Sequence, residues 1–247
     1  MALPVNNLVV VIPTYKEIDN LRNLLPKLFE LPVDVLIVDD ASRDGTSELI
    51  EKFKSEGQRI EILERSGKLG LGSAYREGFA LALSKSYQGI IQMDADGSHR
   101  TQDLPKLVSA FRNNPEVGLV IGSRWISGGA VENWPKQREI LSRGANIYAR
   151  IMLGLKTRDC TAGYRIYRST LLEKMDLGKI KSEGYGFQIE MTREAARVGA
   201  KIMEVPILFV ERELGVSKMS GQIIWEALLK VTQWGISRVF TRRILDK

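Results

Sequence analysis

The sequence predicts an α/β fold, a mostly parallel sheet with helices packed on both faces. Short apolar, β-branched runs recur through the first half of the 247-residue chain, and helical patterns fall between them. Each run is also followed by carboxylates, glycines or cations. Strand–helix alternation implies parallel strands joined by right-handed crossovers. On such sheets ligands sit beyond the carboxyl ends of the strands, so the residues that follow each run carry the functional information.

The elements follow in order. Residues 8–12 form the first predicted strand, leading through Pro13-Thr14-Tyr15-Lys16-Glu17 to a helix over 21–29. The second strand, 35–38, ends in Asp39-Asp40-Ala41-Ser42-Arg43-Asp44-Gly45-Thr46 before a helix over 46–54, for which Asp44 and Ser47 are candidate caps. The third, 60–63, leads to Gly67-Lys68-Leu69-Gly70-Leu71-Gly72 and a helix over 73–85. A fourth, 90–93, runs into Asp94-Ala95-Asp96-Gly97-Ser98, with Thr101 or Asp103 placed to cap a helix over 104–113. The fifth, 117–121, ends at Gly122-Ser123-Arg124. Beyond it, 137–155 reads as a basic helix, 164–167 and 202–210 as strands, and 187–198 as a helix between them. In the last helix, 222–240, polar residues fall at Gln222, Glu226, Lys230, Gln233 and Ser237, one narrow stripe on an otherwise apolar cylinder. With Trp225, Trp234 and the Arg residues at its end, it reads as a membrane-interfacial helix, the alternative being a helix that covers the core. Residues 1–220 are therefore expected to form one domain and 221–247 an amphipathic extension.

Composition narrows the chemistry. A single thiol, Cys160, excludes an intramolecular disulfide framework and a cysteine-rich zinc site, and it reads as a small buried residue. With one imidazole, His99, any catalytic metal rests on carboxylates and ligand oxygens, which suits Mg²⁺ or Mn²⁺. No run of 18 apolar residues occurs and the N-terminus has no secretory pattern, so a cytoplasmic address is expected. A net charge of +6 favours an anionic partner. Nucleic acid is not the expected one: the cations are interleaved with acids along the helices, and the strand ends carry carboxylates that repel a phosphate backbone.

Asp94 and Asp96 are the foremost chemical candidates. Only one of them need ligate a metal, while the other binds a ribose or a backbone group. Asp39-Asp40 either accepts hydrogen bonds from a nucleotide or favours the start of the next helix. The 67–72 glycine segment lacks the phosphate-loop pattern and reads as a βα connection. His99 reads equally as a group reaching the metal or as a polar turn residue. Arg124, Arg138, Arg143, Arg165, Arg212 and Lys218 are cations outside the helical ion pairs, and a cluster of Arg beside a metal would hold phosphate.

Taken together, Val11-Ile12-Pro13-Thr14-Tyr15-Lys16-Glu17, Val38-Asp39-Asp40-Ala41-Ser42, Met93-Asp94-Ala95-Asp96, Gly122-Ser123-Arg124, Ser142-Arg143-Gly144-Ala145-Asn146, Thr161-Ala162-Gly163-Tyr164-Arg165 and Glu204-Val205-Pro206-Ile207 resemble the blocks of the dolichol-phosphate (polyprenol-phosphate) mannosyltransferases. These are inverting enzymes of glycosyltransferase family 2 with a GT-A fold. The resemblance spans residues 8 to 220 and implies transfer of mannose from GDP-mannose to a polyprenyl or dolichyl phosphate. It places Pro13, Tyr15, Glu17, Val38 and Asp40 around the guanosine, and Asp94 and Ala95 on the nucleotide. It puts Asp96 on the metal, with Asp94 and Ser98 beside it. Arg124, Arg138 and Ser142 would bind the acceptor phosphate, and Arg212 and Lys218 would close over the donor diphosphate. Family members carry transmembrane helices or borrow them from partner subunits, so a membrane surface and a separate anchoring subunit join the expected partners, with the protein peripheral on the cytoplasmic face. A polyprenyl-phosphate glucosyltransferase using UDP-glucose is the rival within enzymes.

Overall fold

The computed structural model describes residues 7–211 and 221–245, with the side chains of 221–224 and 239–245 outside the description. Nine strands are present among them: β1 (Leu8–Thr14), β2 (Asp34–Asp39), β3 (Ile60–Glu64), β4 (Gly89–Gln92), β5 (Val117–Ser123), β6 (Ala130–Glu132), β7 (Arg165–Arg168), β8 (Lys201–Pro206) and β9 (Leu208–Val210). The helices are α1 (Ile18–Phe29), α2 (Thr46–Ser55), α3 (Leu71–Ser84), α4 (Leu104–Asn113), α5 (Lys136–Leu153), α6 (Ser169–Lys174), α7 (Gly184–Arg197) and α8 (Gly221–Leu245). The main sheet has seven strands in the order β3-β2-β1-β4-β7-β5-β8, and β6 and β9 form a separate two-stranded ribbon. All pairings in the main sheet are parallel except those of β7, which runs antiparallel to both neighbours.

The expected layering is present and its cause is visible in β1. Val10 and Ile12 pack under α1, α2 and α4, whereas Val9 and Val11 pack under α3, α6 and α7. Strand residues alternate between faces, so a strand buried on both sides must be apolar throughout. A third, smaller core joins α5, α7 and α8 through Ala149, Leu153, Cys160, Ile189 and Val231.

Two expected caps act differently. Asp44 does accept from the Thr46 amide at 3.1 Å, but its other oxygen takes the Ile18 amide at 3.3 Å, while Ser47 bonds Glu64 instead of capping α2. Asp103 accepts from the Leu208 amide at 3.2 Å and from Lys106 at 2.8 Å, and Thr101–Asp103 form a turn of 3₁₀ helix, so neither caps α4 through its side chain. Short elements β6 and α6 are additions to the predicted set, and the strand expected over 202–210 divides into β8 and β9.

Candidate active site

The carboxyl ends of β1, β2, β4 and β5 open on one cleft of about 360 Å³, a size suited to a small-molecule site. Pro13, Tyr15 and Glu17 line it after β1, Asp40 after β2, Asp94 to Ser98 after β4, and Arg124 after β5. Arg138 reaches it from α5, and Glu183, Tyr185 and Gln188 from the start of α7. Non-glycine residues Lys16, Ala41 and Arg43 hold φ of 57°, 54° and 51° in the loops behind β1 and β2. Such backbone conformations concentrate at functional sites, where the surroundings enforce them.

Asp94 and Asp96 share the cleft, as residues i and i+2 share one side of an extended segment. The chain bends just after them at Gly97, whose φ is 76°. Asp94 Oδ1 accepts from the Tyr75 hydroxyl at 2.7 Å, while Asp96 Oδ1 accepts from the Ser98 amide at 3.1 Å and from its hydroxyl. Burial, reinforced by Asp94, raises the Tyr75 pKa well above its ordinary value, so the phenol stays a donor. His99 is also buried, and its Nδ1 accepts from the Asp94 amide at 3.1 Å. Burial lowers its pKa, keeping it neutral with the proton on Nε2. Its ring stacks on Tyr164 at 5.0 Å, so it acts as a wedge that holds the acidic turn. No group of three His, Cys, Asp or Glu that could hold a metal exists among the described residues.

Asp40 is committed to structure as well as to the cleft. It pairs with the buried Arg65 and accepts from the Leu69 and Gly70 amides at 3.1 and 3.4 Å. Glu183 takes the Gly72 amide at 2.7 Å. Three amides of the glycine segment, those of Leu69, Gly70 and Gly72, are thus taken by two carboxylates, which agrees with a βα connection. Val38 departs from expectation: its side chain is fully buried in the core beneath α3 and contributes nothing to the cleft lining.

Arg124 is 3 % exposed and paired with Asp159, Nε to Oδ2 at 2.8 Å and Nη2 to Oδ1 at 2.7 Å. Burial opposes its charge, but the Asp159 carboxylate outweighs it and raises the pKa. Arg138 pairs with Glu211 and lies 4.0 Å over the Trp134 ring, which also faces Arg124 at 5.5 Å. A ring quadrupole shared between two guanidiniums lets like charges approach one another. Ser142 sits four residues beyond Arg138 on α5 but is not part of the cleft lining, and its carbonyl accepts from Asn146. Arg143 is an exposed residue over Trp125 at 4.2 Å. Arg165 is fully buried and bonds the Ala162 and Cys160 carbonyls at 2.7 and 2.9 Å, which makes it a core residue and not a phosphate ligand. Arg212 and Lys218 lie outside the described residues.

Sequence reasoning missed Glu183, Tyr185 and Gln188, and it gave no site role to Lys68, Tyr75, Thr161 or Gly163, although Thr161 and Gly163 lie in one of the quoted blocks. Lys68 sits 4.4 Å over the Tyr15 ring at the cleft. Thr161 and Gly163 precede a strand, where the strand-end rule does not look. Because β7 is reversed, the loop entering it meets the carboxyl ends of its parallel neighbours.

Comparison with known proteins agrees with this architecture. The chain is 49% identical over 229 residues to the undecaprenyl-phosphate mannosyltransferase of Micrococcus luteus, covering 92% of this chain and 93% of that one. It is 45% identical to the polyprenol monophosphomannose synthase of Mycolicibacterium smegmatis, covering 94% and 88%. A mannosyltransferase of Pyrobaculum calidifontis, solved with GDP-Man and Mn²⁺, shares the fold at a TM-score of 0.59 and 15% identity, covering 97% of this chain and 67% of that one. Residues 9–176 match the model of glycosyl transferase family 2, and the chain belongs to that family.

Proposed function

We propose that the protein moves mannose from GDP-mannose to a polyprenyl (dolichyl) phosphate, giving a β-mannosyl phospholipid. One observation carries the reading: a single cleft sets Asp94 and Asp96 against Arg124 and Arg138. The names of the two relatives, both mannosyl transferases to a polyprenyl carrier, support the choice of sugar and acceptor.

A phosphate monoester has a second pKa of about 6 and is an ionised nucleophile at neutral pH without a general base. Arg124 and Arg138 neutralise it so that it can approach a second anion. Attack on the anomeric carbon from the face opposite the leaving diphosphate inverts an α-linked donor to a β product. Asp96 and Asp94 offer carboxylate oxygens only, which fits Mg²⁺ or Mn²⁺ completed by substrate phosphate and water. Held there, the ion would neutralise charge developing on the departing diphosphate. Tyr75 and Ser98 orient the two carboxylates, and His99 fixes the backbone at Asp94. Arg212 and Lys218 are assigned to the donor diphosphate on the family resemblance alone.

The product's lipid also needs a surface. No helix among the described residues is long and apolar enough to cross a membrane. Yet α5 exposes Ile140, Ile147 and Ile151, and α8 exposes Trp225, Leu229 and Ile236. These faces support peripheral docking on a bilayer.

The test is transfer of radiolabelled mannose from GDP-mannose to polyprenyl phosphate in detergent, with Mn²⁺ or Mg²⁺ and with chelator, and with UDP-glucose in a parallel arm. Metal-dependent mannolipid that is lost in folded Asp96→Ala is the expected result. Product from UDP-glucose alone would overturn the donor assignment.

A further inference from the structure

A polar relay crosses the buried interior from β7 to the cleft. The fully buried Arg165 donates through Nη1 to the Tyr167 hydroxyl at 3.2 Å. That hydroxyl bonds Gln92 Oε1 at 3.2 Å, and Gln92 Nε2 bonds Gln188 Oε1 at 2.9 Å. A guanidinium has donors only, so the phenol accepts from it and passes its own proton to Gln92 Oε1. Burial raises the Tyr167 pKa, which keeps that proton in place. Gln92 must then turn its nitrogen to Gln188, and Gln188 must accept through Oε1. The Gln188 amide nitrogen is left at the cleft wall with both N–H donors, and no hydrogen bond from it to a described residue exists.

Asp94 lines the same cleft, with Oδ1 already bonded to Tyr75. Its Oδ2 is 3.4 Å from the point where a Cβ on Gly163 would lie, and Gln188 Nε2 is 3.6 Å from the same point. His99 Cε1 lies 3.2 Å from it, so Gly163 sits where these three side chains meet, and its missing side chain keeps the cleft wall clear beside them. An amide donor and a carboxylate acceptor on one cleft wall suit neighbouring hydroxyls, one accepting and one donating. Thr161, two residues before Gly163, bonds Arg124 at 2.8 Å, so this wall adjoins the acceptor end of the cleft. In the transferase reading, the part of the donor that lies between the diphosphate and the acceptor phosphate is the hexose.

We infer that Gln188, held in one orientation by the Arg165–Tyr167–Gln92 relay, is a specificity-determining contact to hydroxyls of the transferred hexose. The inference rests on the transferase reading above. Gln188 is the contact residue, and Tyr167 is a positioning residue acting through Gln92.

The experiment is steady-state transfer by the full chain and by Gln188→Met, Gln188→Glu and Tyr167→Phe. Donors are GDP-mannose and its singly deoxygenated analogues, with inhibition by GDP measured in parallel. Gln188→Met is expected to lower kcat/KM for GDP-mannose roughly 10–100-fold, since a polar site rejects what leaves its partner unpaired. The wild type should discriminate against one deoxy analogue, and Gln188→Met should erase that discrimination. Tyr167→Phe should narrow the same discrimination without touching the cleft. GDP inhibition should stay within about twofold, because uniform nucleotide binding is untouched. Loss of GDP inhibition in step with transfer would overturn the inference and assign Gln188 to the ribose or to the fold. Unchanged kcat/KM in Gln188→Met would overturn it too. A wild type that transfers from neither GDP-mannose nor UDP-glucose would refute the transferase reading itself, a result distinct from either of these.

Discussion

At the residue scale, the two cleft arginines are not equivalent. Arg124 is locked to Asp159, whose side chain is fully buried. Removing one member of such a pair leaves an uncompensated charge and costs about 3–5 kcal/mol. Asp159→Ala is therefore expected to lower the denaturant midpoint sharply, and an unchanged midpoint would show the pair to be dispensable. Arg138 is partly exposed, with its Nε buried and unbonded and Glu211 on its Nη1. Glu211 occupies Nη1 alone, so the remaining guanidinium donors face an acceptor phosphate beside a competing carboxylate. Arg138→Ala should raise the acceptor KM roughly tenfold or more, the worth of a hydrogen bond between charged groups, with the donor KM nearly constant. Equal rises in both would remove Arg138 from the acceptor site. Of these residues, Asp94, Asp96 and Arg124 were legible because each follows a strand, and Arg138 was placed by the family resemblance. Asp159, Glu211 and Gln188 were not. Their roles depend on which side chain meets them in space, and no spacing along the chain encodes that.

The element scale explains why the last helix admitted two readings. A cylinder with one narrow polar stripe has two apolar faces, and the core needs only one. In α8, Val231 and Gly235 are buried against α5 and α7, while Trp225, Leu229 and Ile236 face outward on another side. Core cover and exposed apolar surface thus coexist on one helix. Arg238 packs over Gly154, the left-handed cap of α5 with φ 62°, where a Cβ has no room. A cation at that helix end also meets the favourable side of the backbone dipole. Replacing Trp225 and Ile236 by Ser should weaken binding to anionic liposomes while leaving the melting temperature in place. Unchanged binding would clear α8 of the docking role. The early strands and helices were legible from periodicity, since each is long enough to show it. The direction of β7 was not, because four apolar and basic residues read the same in either direction.

For the whole molecule, alkaline pH is the vulnerable side. Burial pushes the Cys160 thiol from 9.0 up to about 12, and it raises the Tyr87, Tyr164 and Tyr167 hydroxyls above their ordinary 10.0. The unfolded chain releases these protons at the ordinary values while the folded chain retains them. Stability is then fully present below pH 9 and falls as pH rises, by about 1.4 kcal/mol per pH unit for each group engaged. Urea midpoints between pH 8 and 11 should show a plateau and then a steepening fall, and Cys160→Ala should remove the part that begins near pH 9. The place of β7 has a consequence for synthesis. Strands β4 and β5 are consecutive in the chain but never touch, because β7 must come between them. Until residues 165–168 leave the ribosome, β4 is a bare margin carrying Ile90 and Ile91, and β5 lacks its partner on either side. Unpaired margins of this kind template association between chains. A nascent chain stalled short of residue 165 is therefore the form most in need of a chaperone, and a fragment ending at residue 160 should aggregate where the full chain stays monodisperse.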